Sequence, residues 1–239
     1  MRQIRSFVRR KGRISPRRTN LLQSSPYLIQ IDSDASCPLQ PQQWDTLFGW
    51  QANNHVVELG FGDGASLYTM AKAAPTTQFI GIEVYQTGAA KLLEAIQETQ
   101  LNNIRLYIGD GSEFLKDHIP AQSVDRVQLF FPDPWHKKRH HKRRLIQAAF
   151  LGCLQDKLKP GGQLHLATDW ADYANHAETV VAQFGHFVTH QLSERPDYRP
   201  VTKYEKRGLR LGHAIYDRIF ELVSTKPCFH LSKMGEACG

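Results

Sequence analysis

The chain is poor in cysteine and has no close cysteine pair. Its 239 residues hold Cys37, Cys153, Cys228 and Cys238, with no CxxC motif. That spacing fits neither a zinc ribbon nor a disulfide framework, so no metal is expected. Cys228, His230 and Cys238 fall close together near the end and read as tail residues rather than ligands. No apolar run approaches the roughly 18 residues needed to span a bilayer. The basic first residues are not followed by an apolar stretch of about 7–15 residues, so they do not read as a secretory signal. A cytoplasmic protein without a membrane partner is the expectation. Acidic residues are missing from two places. Residues 1–31 contain eight Lys/Arg and no acid, and residues 137–144 contain six Lys/Arg, two His and no acid.

What is present is an ordinary globular balance, 41% hydrophobic and 22% charged, with a net charge of +7 and a pI of about 9.3. The length suits one α/β domain with a full core. The clustering of the cations matters more than their sum, because concentrated positive potential favours a polyanion such as nucleic acid. Residues 1–40 read as a basic arm and loop, residues 41–223 as the folded domain, and residues 224–239 as a tail.

Within the domain, strands and helices alternate. A short helix is expected over 41–51. Strands are expected at 55–59, 78–83, 104–108, 124–131, 163–168, 187–192 and 213–223. Helices are expected at 65–74, 87–99, 112–118, 141–158 and 170–184, with Pro160-Gly161-Gly162 stopping the fourth. Such alternation implies crossover connections and a mostly parallel, Rossmann-like sheet of seven strands with helices on both faces. Ligands in such sheets bind beyond the carboxyl ends of the strands.

The chemistry-bearing residues fall at those ends. Glu58 leads into the turn Gly60-Phe61-Gly62-Asp63-Gly64, whose glycines let the backbone approach a ligand closely. The G-x-G-x-G spacing is not that of dinucleotide sites, so a bound pyrophosphate gains little support. Glu83 ends the second strand, where a carboxylate can accept from ribose hydroxyls. Asp110 ends the third and can accept from an adenine amino group or cap the next helix. Acidic strand ends suit S-adenosylmethionine, with its sulfonium and ammonium charges, better than a pyrophosphate.

The most specific segment follows the fourth strand: Phe130-Phe131-Pro132-Asp133-Pro134-Trp135. Two prolines stiffen the turn around Asp133, and Trp135 offers a flat face for a nucleobase. The cations after it can hold phosphates while the turn holds the base. Asp169 closes the fifth strand. Residues 199–208 read as a polar loop with hydroxyl, cation and carboxylate groups.

Together these stretches resemble the bacterial tRNA (guanine-N7)-methyltransferase family over residues 4–223. The stretches at 58–64, 81–84, 109–110, 130–144, 168–170 and 199–208 carry the resemblance, with a basic lead at 4–9. The two at 130–144 and 199–208 are specific to that family. The resemblance implies S-adenosylmethionine as methyl donor, bound through Glu58, Gly60, Gly62, Glu83, Asp110 and Asp133, with Asp133 catalytic. It implies substrate contacts at Lys137, Asp169, Thr202, Lys203, Tyr204 and Glu205. RNA contacts are implied at Arg139, His140, His141, Lys142, Arg143 and Arg144. The product would be 7-methylguanosine at position 46 of the tRNA variable loop, made by a monomer or weak homodimer with no obligate protein partner. Tyr204 stands where the family commonly has Phe, and Gly111 where it commonly has Ala. The competing readings are methyl transfer to an exocyclic amino group, a nucleotide-dependent oxidoreductase and a non-catalytic RNA-binding module.

Overall fold

Apolar strands with a two-residue alternation and helices with one apolar face assemble here around one sheet. The computed structural model describes residues 14–31 and 41–223. Before the sheet come α1 (Pro16–Ser24) and α2 (Pro41–Phe48). The first half of the domain is β1 (Asn54–Leu59), α3 (Ala65–Ala73), β2 (Thr77–Glu83), α4 (Gln86–Thr99), β3 (Ile104–Ile108) and α5 (Gly111–His118). The second half is β4 (Val124–Phe130), a 3-10 turn (Lys138–Arg143), α6 (Ala148–Lys157), β5 (Leu158–Thr168), α7 (Ala171–Phe184), β6 (Phe187–Leu192), α8 (Lys203–Arg210) and β7 (Tyr216–Leu222). The basic segment 1–13, the stretch 32–40 and the tail 224–239, with Cys228, His230 and Cys238, lie outside the described residues.

The strand order is β3-β2-β1-β4-β5-β7-β6. Strands β1 to β5 pair in parallel, and β7 runs antiparallel between β5 and β6. The seven-stranded, Rossmann-like expectation therefore holds. The chain winds outward from β1 to β3 and then returns to β4, so the order reverses between β1 and β4. A crevice opens at such a switch point.

Alternation along the strands divides the core. Val56, Phe79 and Leu106 pack with Leu67, Met70, Leu92 and Ile96 of α3 and α4. Val57, Ile80, Val127 and Leu164 face the other way, toward Trp44, Phe114, Leu151, Leu154 and Val181. Burial of both faces explains the nearly continuous apolar runs of β2 and β4.

Four segments differ from the sequence expectation. Residues 16–24, placed in the arm, form α1. Ser15 caps it and Pro16 occupies its first turn, a standard helix start. Arg18 pairs with Glu94 of α4 at 2.8 Å. Beyond α1, Leu28 bridges Leu106 and covers the β3 edge. The helix expected over 141–158 is shorter. Its basic start is the 3-10 turn, because six neighbouring cations repel along a regular helix. β5 begins earlier than expected, at Leu158, with Gly161 at φ +76° easing the chain round Pro160. The polar loop at 199–208 contains α8, capped by the Thr202 side chain, which accepts from the backbone N–H of Glu205 at 3.1 Å.

Asn103 illustrates how the helical layer is tied to the sheet. It is 1% exposed, and its amide nitrogen donates to the carbonyls of Ala71, Ala74 and Thr77 at 2.8, 3.1 and 3.0 Å. Asn103→Ala strands those acceptors, so we expect a loss of about 2–4 kcal/mol in denaturant unfolding. Alanine at the exposed neighbour Asn102 should cost well under 1 kcal/mol by the same measurement. Equal effects at the two positions would refute the clasp.

Candidate active site

A cleft of about 800 Å³ lies at the carboxyl ends of β1 to β5. The Gly-rich turn forms its floor. Gly60 and Gly62 have φ of +73° and +64°, conformations that a side chain resists. The turn also needs Gly88 of α4, because a Cβ there would meet the Gly62 carbonyl oxygen at 1.9 Å. Helix α4 can thus seat directly beneath the loop.

Glu83 is fixed by this turn. Its Oε2 accepts from the Gly62 N–H at 2.7 Å, and its Oε1 accepts from the N–H groups of Val84 and Tyr85 at 2.7 and 2.9 Å. Oε2 keeps one acceptor position free. Burial raises the Glu83 pKa, and the three backbone N–H groups oppose that rise. Glu58 is 2% exposed, and its Oε2 has no hydrogen-bond partner among the described residues. Burial, reinforced by the nearby Glu83 charge, pushes Glu58 up to about 8. An orphaned carboxyl oxygen and a clamped carboxylate with spare capacity make a donor set for a ligand with hydroxyls and positive charge. A sulfonium nucleoside fits that set. Asp110 borders the cleft while its Oδ1 caps α5 through Ser112 and Glu113, so the two roles expected for it are compatible.

On the opposite side, Phe131 and Trp135 flank the Pro132-Asp133-Pro134 turn at φ of +51° and +48°. Left-handed backbone at two bulky residues is costly and persists only where the surroundings enforce it. Here the Phe131 N–H donates to Ala167 at 2.7 Å, and Asp133 accepts from the Trp135 N–H at 3.1 Å. Asp133 itself is exposed. Arg143 lies 4.9 Å over the Trp135 ring.

The cationic run divides into two kinds. Lys137, Arg139 and Lys142 are exposed, and His140, His141 and Arg143 are partly so. Arg144 is placed differently from its neighbours. It is 2% exposed, donates to the Pro134 carbonyl at 3.0 Å and pairs with Asp172 of α7. Its guanidinium braces the Asp133 turn.

Helix α8 forms the remaining wall. Lys203 and Tyr204 line the cleft, and Lys203 bonds Asp63 of the Gly-rich turn at 3.0 Å. Asp169 meets His213 at 3.1 Å, and Gly208 of α8 backs directly onto it. Thr202, half-buried, caps α8, and the Glu205 carboxylate, 6% exposed, is paired with Arg199. His213 and Arg199 were not foreseen, because their partners are distant in sequence or buried. Among the described residues no group of three or more His, Cys, Asp or Glu could hold a metal ion, and no helix is long and apolar enough to cross a membrane.

Comparison with known proteins agrees with this geometry. A family model described as a putative methyltransferase matches residues 52–218. A tRNA (guanine-N(7)-)-methyltransferase of Legionella pneumophila is 42% identical, covering 95% of this chain and 98% of its own. One of Shewanella woodyi is 44% identical, covering 93% of each. Among solved structures, the 16S rRNA methyltransferase KamB superposes with a TM-score of 0.58 at 14% identity, covering 82% of this chain and 96% of its own. At that identity the likeness speaks for the fold.

The elevated Glu58 pKa makes a stability prediction. A carboxyl protonated in the fold and ionised when unfolded stabilises the fold fully below about pH 4.5, and that contribution is lost as pH rises through about 8. We therefore expect ligand-free stability to fall across this window by up to about 1.4 kcal/mol per pH unit. Glu58→Gln should flatten the decline in chemical unfolding curves. An unchanged slope would show that Glu58 is already ionised at neutral pH.

Proposed function

Because this chain belongs to the tRNA (guanine-N7)-methyltransferase family, we propose that its cleft transfers a methyl group from S-adenosylmethionine to N7 of guanosine 46 in the tRNA variable loop. The observation that carries the reading is the pairing, across one cleft, of a clamped acidic nucleoside site with a stiffened Asp133 turn flanked by cations. The setting is cytoplasmic and needs no protein partner.

S-adenosylmethionine, when bound, supplies an electrophilic methyl group. Glu83 and Asp110 would accept hydrogen bonds from its hydroxyl and amino groups, Glu58 would offer its vacant oxygen, and Gly60 and Gly62 would allow close backbone approach. Guanine N7 bears a lone pair and no proton, so no residue needs to act as a strong base. The chain's task is alignment and charge stabilisation. Trp135 and Tyr204 bound the base, with Asp169 and Lys203 beside it. The exposed Asp133 carboxylate stabilises the positive charge that develops on the purine. Lys137, Arg139, Lys142 and Arg143, with His140 and His141, hold the RNA backbone.

The test is methyl transfer from labelled S-adenosylmethionine to unmodified tRNA, followed by digestion to nucleosides. Label in 7-methylguanosine is expected. Label in an exocyclic-amino product would keep the cofactor and overturn the atom. Asp133→Asn should fold like the parent and lose about 100-fold or more in turnover. Full activity in that variant would remove Asp133 from the chemistry.

RNA contact has a separate test. Arg139→Glu with Arg143→Glu should weaken tRNA binding and lower the slope of log affinity against log salt by roughly two. The affinity for S-adenosylmethionine should stay constant. Arg144 is left out because its removal would unseat the Asp133 turn. Parallel loss of both affinities would place Arg139 and Arg143 in the fold instead.

A further inference from the structure

Four buried polar residues and the half-buried Tyr198 form a chain behind the cleft. Arg199 is 0% exposed. Its Nη1 donates to Glu205 Oε2 at 2.5 Å, and its Nη2 donates to Asp217 Oδ2 at 2.7 Å. Asp217 Oδ1 lies 2.8 Å from His165 Nε2, and His165 Nδ1 lies 2.9 Å from the Tyr198 hydroxyl. Burial lowers the His165 pKa, which favours the neutral ring. A neutral imidazole donates from Nε2 to Asp217 and accepts from Tyr198 at Nδ1.

The chain joins three elements. Glu205 belongs to α8, His165 to β5 and Asp217 to β7. The Arg199 guanidinium also lies 5.8 Å from the Phe130 ring and 5.9 Å from the Phe131 ring. Phe131 opens the turn that carries Asp133. One guanidinium therefore touches the base of both cleft walls. The α8 wall depends on that seat for its contacts. Lys203 reaches Asp63, Tyr204 stands beside Gly62, and Gly208 presses on Asp169.

We propose that Arg199 is a positioning residue for methyl transfer. It holds α8, through Glu205, against the Phe130-Phe131 end of β4 so that the two walls keep one spacing. The inference rests on the methyl-transfer reading above. A shift of about 1 Å between reacting groups can cost 100-fold in rate. Lysine offers one point charge where arginine offers a planar fork, so it cannot hold Glu205 and Asp217 in the same geometry.

The experiment measures single-turnover methylation at saturating tRNA and S-adenosylmethionine, with S-adenosylmethionine affinity measured separately. Arg199→Lys is expected to lose at least tenfold in rate while that affinity changes by less than about threefold. Val181→Ala, a core change on α7 away from the cleft, gives a comparison protein of reduced stability whose rate should match the parent. Glu205→Gln should also slow single turnover at an unchanged tRNA KM. The losses of Arg199→Lys and Glu205→Gln should be non-additive in the double variant. If Arg199→Lys fails to fold, Glu205→Gln alone decides. A slower rate at constant KM supports positioning, and a raised KM at constant rate overturns it. Parental rate in folded Arg199→Lys, or strictly additive losses, would also overturn it. A parent that forms no 7-methylguanosine is a failure of the reaction assigned above, and is distinguished from these outcomes because they are read against an active parent.

Discussion

The reversal of strand order between β1 and β4 is the constraint on which the rest depends. Parallel strands joined by right-handed crossovers must place their helices on opposite faces once the winding changes direction. The turns after β1 and β4 then diverge and leave a crevice. The first of these turns contains Gly60 and Gly62, and the second contains Asp133. Acids at the ends of β2 and β3 complete the near side. No local motif creates this site. The motifs occupy positions that the topology has already brought together.

Within the crevice, burial and hydrogen bonding divide the carboxylates by task. Glu83 is held by three backbone N–H groups, so its orientation is set before any ligand arrives. Glu58 has no such support among the described residues, and burial with the Glu83 charge pushes its pKa up to about 8. A ligand cation beside it would draw it toward the ionised form, so binding and proton release are linked there. Asp133 stands exposed at the mouth, where it can meet a base delivered from outside. The cations are arranged with equal economy. Exposed Lys137, Arg139 and Lys142 face solvent, while Arg144 turns inward to pin the turn beside them.

Much of this was legible in the sequence. Strand existence and order class followed from apolar runs separated by glycine and proline, and the strand-end acids pointed to the cleft. The boundaries of α6 and the inward turn of Arg144 were not legible, because a run of eight basic and imidazole side chains gives no sign of which one is buried. α8 was missed for a different reason. Thr202 and Glu205 stand in the T-x-x-E arrangement of a capping box, a helix start readable from sequence. The charged composition of residues 199–208 obscured it. Likewise, Ser15-Pro16 announced α1 within a segment judged by charge alone. His213 and Arg199 carried no local signal, since Asp169 and Asp217 reach them only through the fold.

The buried chain at Arg199 is hard to explain by stability. Burying ions costs several kcal/mol each, and well-packed apolar side chains of similar volume often serve as well or better. At Arg199 that cost is incompletely offset, because its Nε–H is buried with no partner among the described residues. What apolar packing does not provide is direction. A planar fork bound to two carboxylates fixes an angle and a distance at once. Leucine or methionine in its place would allow α8 several nearly equal seats against β4 and β7. For a reaction that needs no strong base and depends on alignment, the narrowing of those seats to one is itself a contribution to rate. On this argument the least exposed arginine in the site matters for the same reason as the most exposed aspartate, since each fixes one side of a single distance.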